Sequence, residues 1–266
     1  MPELPEVETI VRALRAPCVG QRIERVTIKW KRHIATPSTK QFSKQICGQT
    51  IRNINRRGKF LVLGLTADTL LIHLKMSGDL TVVPQSAPPD KHAHTVFHFA
   101  NGSELRFSDT RKFGRVYLVR DPAEVTGDLG PEPLDDTFTA RKLRDILHGH
   151  HRALKPLLLD QTVIAGVGNI YADESLHRAR LHPLRRSDTL TPGEARALWR
   201  SLRYTLNQAI RNQGSSIDRV YRGGEHQNHF RAYDCTGEPC PVCGTAIRRI
   251  VVGARSTHYC PNCQRL

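Results

Sequence analysis

Residues 60–83, FLVLGLTADTLLIHLKMSGDLTVV, contain short apolar runs separated by polar turns and show no helical period. Similar runs occur on both sides, from IERVTI at 23–28 to RVYLV at 115–119, with Gly, Asn, Asp and Pro between them. Short runs bounded by these residues are typical of antiparallel strands. Residues 22–120 are therefore predicted to form a β-sandwich or a barrel.

An amino-terminal helix is predicted before these strands. Apolar residues recur at helical spacing between residues 2 and 16. Glu3, Glu6 and Glu8 fall in the first turns, where the helix dipole favours acidic side chains. Residues 127–136 combine Pro, Gly and acids, as linkers do, and are predicted to end the β-rich region.

Beyond residue 136 the apolar period becomes helical. Residues 154–160 and 170–180 are predicted as two helices separated by a Gly-x-Gly turn, in the manner of a helix-turn-helix unit. The sequence TPGE at 191–194 resembles a capping box that opens a further helix ending before Gly214. We therefore expect an α+β multidomain protein with domains at residues 1–130, 131–230 and 231–266.

The chain is strongly basic, with 40 Lys and Arg against 25 Asp and Glu and a formal net charge of +15. The excess is spread over the chain, because residues 1–130 hold 20 basic and 12 acidic side chains and residues 131–266 hold 20 and 13. A content of 39% hydrophobic residues is enough for folding, so disorder is excluded. Distributed cations favour a polyanionic partner such as nucleic acid, with general solubility as the alternative.

Five of the seven cysteines lie in residues 235–266. Four of them, Cys240, Cys243, Cys260 and Cys263, form two Cys-x2-Cys knuckles at the spacing of a tetrahedral zinc site. Four thiolates leave no open coordination position, so we predict one structural Zn²⁺ per chain. The stretches IRRIVV and THYC between the knuckles are predicted to pair as a hairpin with Arg255 at its tip. Cys235 is predicted to be a free thiol.

Pro2 would become a secondary α-amine on removal of Met1. An α-amino group titrates near roughly 7.7–8.0, so part of it is unprotonated at neutral pH and can attack an electrophilic carbon. Condensation with an aldehyde would give an iminium ion, and Glu3 and Glu6 are nearby carboxylates that could transfer protons. The alternative is structural, because proline is common in the first turn of a helix.

The sequence has no apolar run of the length that crosses a membrane, and its acidic amino terminus is unlike a signal peptide. We expect a soluble, intracellular protein with no membrane partner.

Five stretches carry a resemblance to a known family: PELPEVE at 2–8, GKFL at 58–61, HLKMSG at 73–78, GVGNIYADE at 166–174 and the four-cysteine finger. In this order they resemble the formamidopyrimidine-DNA glycosylases over essentially the whole chain. The resemblance implies a β-sandwich with an amino-terminal helix, a helical domain with a helix-two-turn-helix motif, and a β-hairpin zinc finger. It also implies a monomeric glycosylase and AP lyase of base excision repair, cytoplasmic, bacterial and nucleoid-associated, whose partner is double-stranded DNA containing oxidised bases or abasic sites.

The resemblance assigns roles to matching residues. Pro2 would attack C1′ and form the Schiff base, with Glu3 as general acid, Glu6 as supporting carboxylate and Lys59 at a phosphate of the lesion. The flanking phosphates would be bound by four residues: His73, Asn169, Tyr233 and Arg255. The space left by the extruded base would be filled by three wedge residues: Met76, Arg111 and Phe113. Thr110 and Lys112 depart from the proline and arginine expected there.

Residues 217–233 are shorter than expected for the loop that covers a flipped oxidised purine. We therefore expect excision of formamidopyrimidines and, less readily, of 8-oxoguanine. Two alternatives stay open. One is an endonuclease VIII-like glycosylase for oxidised pyrimidines, and the other is a non-catalytic zinc-ribbon protein that binds nucleic acid.

Overall fold

A computed structural model describes residues 1–216 and 223–266, which divide into two compact units. The first unit contains residues 1–128 and 215–224, and the second contains residues 129–214 and 225–266. The three domains predicted from the sequence, at residues 1–130, 131–230 and 231–266, remain predictions. Part of the segment predicted to be a shortened loop, residues 217–222, lies outside the described residues.

In its described residues, the first unit has two sheets and three α-helices. The helices are α1 (Leu4–Cys18), α2 (Thr39–Ile46) and α3 (Ala123–Thr126), and the strands are β1 (Ile23–Ile28), β2 (Ile34–Thr36), β3 (Asn53–Arg57), β4 (Phe60–Gly64), β5 (Thr69–His73), β6 (Gly78–Pro84), β7 (Ala93–Phe99), β8 (Ser103–Asp109) and β9 (Arg115–Val119). One sheet has the order β1-β7-β8-β6 and the other β2-β9-β5-β4-β3. Apolar side chains of both sheets belong to one buried core, as in a sandwich.

Helix α1 begins at Leu4, with Glu3 as its N-cap residue and Pro5 in its first turn. One face of the helix is apolar, and Val7 and Val11 are fully buried in the core of the sandwich. The predicted helix at residues 2–16 is therefore present but begins two residues later. Pro2 consequently lies outside the helix, and it is Pro5 that takes the helix-starting position for which proline is suited.

The second unit consists of four helices and a β-hairpin. These elements are α4 (Ala140–His148), α5 (Leu154–Leu159), α6 (Asn169–Ala179), α7 (Pro192–Arg211), β10 (Arg248–Val252) and β11 (Arg255–Tyr259). The capping box predicted for α7 is confirmed, because the Thr191 N–H donates to Glu194 Oε2 at 2.8 Å and the Glu194 N–H donates to Thr191 Oγ1 at 3.3 Å. The α+β fold class is likewise confirmed.

The predicted hairpin between the cysteine knuckles is confirmed. Its two-residue turn consists of Gly253 and Ala254, with φ angles of 55° and 59°. Positive φ at both positions is what a tight hairpin turn requires, and glycine adopts it without strain. Val252 pairs with Arg255, so Arg255 directly follows the turn and is exposed.

Among the helices of the described ranges, none is both long and apolar enough to cross a membrane.

Candidate active site

The amino terminus places Pro2 and two carboxylates together. Pro2 is buried, and the exposed fractions of Glu3 and Glu6 are 3% and 2%. Glu6 Oε2 accepts the backbone N–H of Glu3 at 2.8 Å, while its Oε1 accepts the backbone N–H of Ser215 at 2.8 Å and the Ser215 hydroxyl at 3.2 Å. Glu6 therefore orients the residues next to Pro2 and joins them to a segment more than 200 positions away in the chain.

Lys59 and His73 lie at the same end of two neighbouring strands in the five-stranded sheet, β4 and β5. Lys59 occupies the two-residue turn between β3 and β4, where Gly58 has a φ of 56°. The register pairs Phe60 with His73, and the ring of His73 contacts that of Phe60 edge to face with 4.7 Å between centroids. Two residues assigned to lesion phosphates are thus brought together by strand pairing.

His73 is a neutral imidazole in this arrangement. Burial, together with the charges of Lys75 and Lys59, lowers the pKa of His73 to about 3. Its Nδ1 accepts the backbone N–H of Lys75 at 3.0 Å, so the proton resides on Nε2. His73 can therefore donate one hydrogen bond from Nε2 to an anionic oxygen without carrying a charge itself.

The three predicted wedge residues lie on two adjacent turns. Met76 is in the turn between β5 and β6, and Arg111 and Phe113 are in the turn between β8 and β9. These turns neighbour each other because β6 pairs with β8 in a register that puts Gly78 opposite Asp109. The exposed fraction of Phe113 is 54%, so its ring is accessible from solvent.

Lys112, where the family pattern predicts arginine, has a φ of 60°, and its Nζ lies 4.9 Å from the centroid of the Trp30 ring. An ammonium over an indole face is attracted by the ring quadrupole. The contact between Lys112 and Trp30 therefore helps to hold this turn in place.

Asn169 and Arg255 are neighbours in the second unit. Asn169 is the first residue of α6, after the N-cap residue Gly168. Its side-chain amide donates to the Ser256 hydroxyl at 3.4 Å, which places it beside Arg255 on the hairpin. The Oδ1 atom of Asn169 is buried without a hydrogen-bond partner in the described part of the chain. A helix amino terminus is suited to an anion, and Arg255 is the neighbour in the chain of the residue that Asn169 contacts.

A buried ionic cluster attaches the hairpin to two helices. Lys155 of α5 and Asp173 of α6 have fully buried side chains, with 2.6 Å between Nζ and Oδ1. Lys155 Nζ also donates to the Ser256 carbonyl at 2.7 Å, and Asp173 Oδ2 accepts the His258 backbone N–H at 2.9 Å. Loss of either charge would leave the other buried without its partner, which makes the cluster a strong constraint on β11.

Tyr233 is positioned through its backbone by Glu174 of α6. The buried carboxylate of Glu174 accepts the backbone N–H groups of Arg231, Ala232 and Tyr233 at distances between 2.8 and 3.1 Å. Burial raises the pKa of Glu174, although these three donors oppose that shift. The Tyr233 ring contacts the His258 ring at 5.1 Å between centroids, so it lies beside the same hairpin.

The four predicted zinc ligands converge. All four sulfur atoms lie within 4.8 Å of one another, with 4.0 Å between Cys240 and Cys263 and 3.4 Å between Cys243 and Cys260. Tetrahedral Zn–S bonds of about 2.3 Å imply sulfur separations of about 3.8 Å, so the residues fit this ion. Next to the cluster, His177 Nε2 lies 3.3 Å from the Cys240 sulfur, as expected of a donor to a ligating thiolate.

Several residues that organise the site were not predicted from the sequence. They are Ser77, Asp109, Lys155, Asp173, Glu174, His177 and Ser215. For Lys155, Asp173 and Glu174 the sequence contained a signal, namely charged residues inside otherwise apolar helical stretches: LKPLLL at 154–159 and YADESL at 171–176. Charged residues are rarely buried unless they are paired.

Comparisons with known proteins agree with these features. Residues 1–116 match the formamidopyrimidine-DNA glycosylase N-terminal domain, residues 129–220 the formamidopyrimidine-DNA glycosylase H2TH domain, and residues 237–266 the zinc finger found in FPG and IleRS. The finger match and the converging thiols together confirm the predicted structural zinc site.

Similar proteins span the whole chain. The formamidopyrimidine-DNA glycosylase of Roseiflexus sp. (strain RS-1) is 48% identical over 274 residues, with 100% of both chains covered. The one from Pelotomaculum thermopropionicum is 43% identical over 275 residues, also with 100% coverage of both.

Solved structures with bound DNA are similar as well. MutM in complex with carbocyclic 8-oxo-G containing DNA has 37% identity and a TM-score of 0.93, covering 100% of each chain. Lactococcus lactis Fpg with FAPY-dG containing DNA has 38% identity and a TM-score of 0.92, covering 99% of this chain and 100% of that one. With full-length relatives, matching domains and a matching fold, the chain belongs to the formamidopyrimidine-DNA glycosylase family.

Proposed function

We propose that this protein removes oxidised purines from double-stranded DNA and cleaves the resulting abasic site, using the amine of Pro2 as nucleophile. The observation that carries the proposal is the position of Pro2. It lies before α1 rather than in it, and Glu3 and Glu6, both buried, follow within four residues. The family membership supports the same activity.

The proposed reaction uses the chain's own groups at each step. The Pro2 nitrogen forms a bond to C1′ with its lone pair while the bond from C1′ to the damaged base breaks. The base leaves with the electron pair of the broken bond and takes up a proton, and the Pro2 nitrogen loses its N–H proton. Glu3 then protonates O4′ as the C1′–O4′ bond breaks, which leaves an iminium ion on Pro2. Loss of a C2′ proton expels the 3′ phosphate, and a second elimination expels the 5′ phosphate.

In this proposal each unit contributes its own residues that bind phosphate. In the first unit, Lys59 supplies a charge and His73 supplies a neutral N–H donor, both at the strand ends described above. Asn169, Arg255 and Tyr233 contribute from the second unit, where α6 and the hairpin hold them. Zinc on the four thiolates supplies no chemistry to the reaction, because a closed four-cysteine site is structural.

The proposal is tested by covalent trapping. Borohydride reduces an iminium ion to a stable amine, so incubation with a duplex containing an abasic site should yield a protein–DNA adduct. A zinc-ribbon protein that only binds nucleic acid would give none. The mass of the amino-terminal peptide from the adduct should identify Pro2, without Met1, as the attached residue. Absence of an adduct under conditions where the duplex is bound would contradict the proposal.

Lesion preference provides a second test. We propose that ring-opened formamidopyrimidines are excised faster than 8-oxoguanine, because an intact oxidised purine depends more on a closing loop and residues 217–233 are short for that loop. Single-turnover rates should be compared for both lesions opposite cytosine in one duplex at fixed salt, since phosphate contacts make binding salt-dependent. Faster release of 8-oxoguanine would refute this ranking. Faster release of thymine glycol would favour the endonuclease VIII-like alternative.

We further propose that the protein acts as a monomer in the bacterial cytoplasm, associated with the nucleoid. The net charge of +15 and the bacterial relatives support this proposal. Fluorescence imaging of a tagged chain against stained DNA would test the association.

A further inference from the structure

The two turns that carry Met76, Arg111 and Phe113 are connected by one buried carboxylate. Asp109 is the last residue of β8 and is fully buried. Its Oδ1 accepts the hydroxyl of Ser77, from the Met76 turn, and also the backbone N–H of Arg111 at 3.2 Å. Its Oδ2 accepts the backbone N–H of Gly114 at 2.7 Å. One side chain thus bonds both turns.

A second connection strengthens the first. The Ser77 hydroxyl oxygen accepts the backbone N–H of Arg111 at 2.9 Å while donating its proton to Asp109. The Met76 turn and the Arg111 turn are therefore joined directly as well as through the carboxylate. A hydrogen-bonded network in which every member is satisfied favours a single conformation of the backbone that it joins.

The packing behind Asp109 leaves little room for another arrangement. A Cβ at Gly114 would lie 2.3 Å from Phe107 Cζ, and a Cβ at Gly78 would lie 2.5 Å from the Leu74 carbonyl oxygen. The buried His33 stacks on Phe107, and its Nε2 lies 3.6 Å from Asp109 Oδ2. Although burial raises the pKa of Asp109, the nearby His33 and hydrogen bonds from Ser77 and Gly114 lower it to about 2, so the carboxylate is ionised.

We propose that Asp109 is a positioning residue that locks the Met76 turn and the Arg111–Phe113 turn into one rigid wedge. The inference rests on the proposed function, in which these side chains replace an extruded base. Extrusion costs stacking free energy, which the wedge can offset only if its parts are already ordered. Asp109 itself lies in the interior and contacts no DNA.

The test is Asp109→Asn, which preserves the shape but replaces one acceptor oxygen by an NH2 group. That group would face either the Gly114 N–H or the Ser77 hydroxyl and the Arg111 N–H, from which it cannot accept a hydrogen bond. We expect single-turnover excision of a ring-opened guanine paired with cytosine to fall by roughly 10- to 100-fold, as for other small misplacements of a functional group. Cleavage of a preformed abasic site in the same duplex should stay within about threefold, because no base has to be unstacked. A general loss of folding would slow both reactions together.

Asp90→Asn is the matched control. Asp90 also accepts a serine hydroxyl, that of Ser108 at 2.5 Å, and a backbone N–H, that of His92 at 2.8 Å, but it lies outside both wedge turns. Asp90→Asn should leave the ratio of the excision rate to the abasic-site cleavage rate unchanged. If Asp109→Asn fails to fold, Ser77→Ala decides, because it removes the direct connection and retains the carboxylate. It should lower excision in the same direction, with faster amide exchange at Arg111.

Two further variants separate failure of this inference from failure of the proposed function. Met76→Ala and Phe113→Ala should each slow excision, and each should combine with Asp109→Asn less than additively. If both alanine variants excise at the normal rate, the wedge assignment in the proposed function is wrong. If both alanine variants are slow, Asp109→Asn decides the inference, or Ser77→Ala if Asp109→Asn does not fold. A normal excision rate, or an equal slowing of excision and of abasic-site cleavage, would show that the inference about Asp109 is wrong.

Discussion

Replacement of Pro2 by glycine is expected to lower base excision by about 100-fold, because the ring that orients the nucleophilic nitrogen is lost and a misplaced group reacts far more slowly. Glu3→Gln is expected to lower sugar opening, measured as strand cleavage, by about 100- to 10,000-fold, the usual contribution of a general acid. Affinity for a duplex with a non-reactive abasic analogue should be retained by both variants, since phosphate contacts dominate binding.

The matched control is Glu8→Gln on the same helix. Glu8 bonds Arg12 at 2.8 Å and Arg56 at 3.3 Å, and its loss changes the net charge exactly as the loss of Glu3 does. Glu8→Gln should retain the normal single-turnover rate. Normal excision by Pro2→Gly together with normal strand cleavage by Glu3→Gln would eliminate the proposed mechanism, whatever the binding data show.

Replacement of Cys260 by serine should release zinc and weaken lesion binding together. Cys260 is fully buried, and the two knuckles hold the ends of the hairpin that carries Arg255. Structural zinc supplies folding free energy, so removing one thiolate should reduce the metal content from about one ion per chain to near zero. Loss of the charged contact from Arg255 alone should weaken binding by about 10- to 100-fold.

Metal analysis and a binding titration at fixed salt check this expectation. Cys47→Ser, which removes an exposed thiol of the first unit, is the control and should change neither quantity. Cys235→Ser should also retain the zinc, because Cys235 lies outside the converging set. Loss of zinc with normal binding would mean that the Lys155–Asp173 cluster alone holds the hairpin.

Local features of the fold were predictable because they depend on local sequence. The β-hairpin, the capping box of α7 and the start of α6 after Gly168 each follow from residues close in the chain. Helix α2 and strand β3 were missed, because a prediction from local sequence finds only elements with a clear local pattern. β3 is an edge strand with the sequence NINRR, and an edge strand needs no alternation of apolar residues.

The contacts that organise the site were not predictable in this way. Asp109 to Ser77, Lys155 to Ser256 and Glu6 to Ser215 each join residues far apart in the chain. A local pattern contains the charged residue but not its partner, which only the packing of strands and helices supplies. The resemblance to a family found the residues that match its motifs, and it gave no indication of the residues that hold them.

The bond between Glu6 and Ser215 has a consequence for how the protein is made. Pro2 and Glu3 are buried in the finished fold, yet Ser215, which bonds the neighbouring Glu6, is synthesised 209 positions after it. At about 5–20 residues per second, a ribosome needs roughly 10 to 40 s to reach it. A processing enzyme that removes Met1 therefore has at least this interval in which Glu6 still lacks Ser215, so maturation of the nucleophile can precede its enclosure.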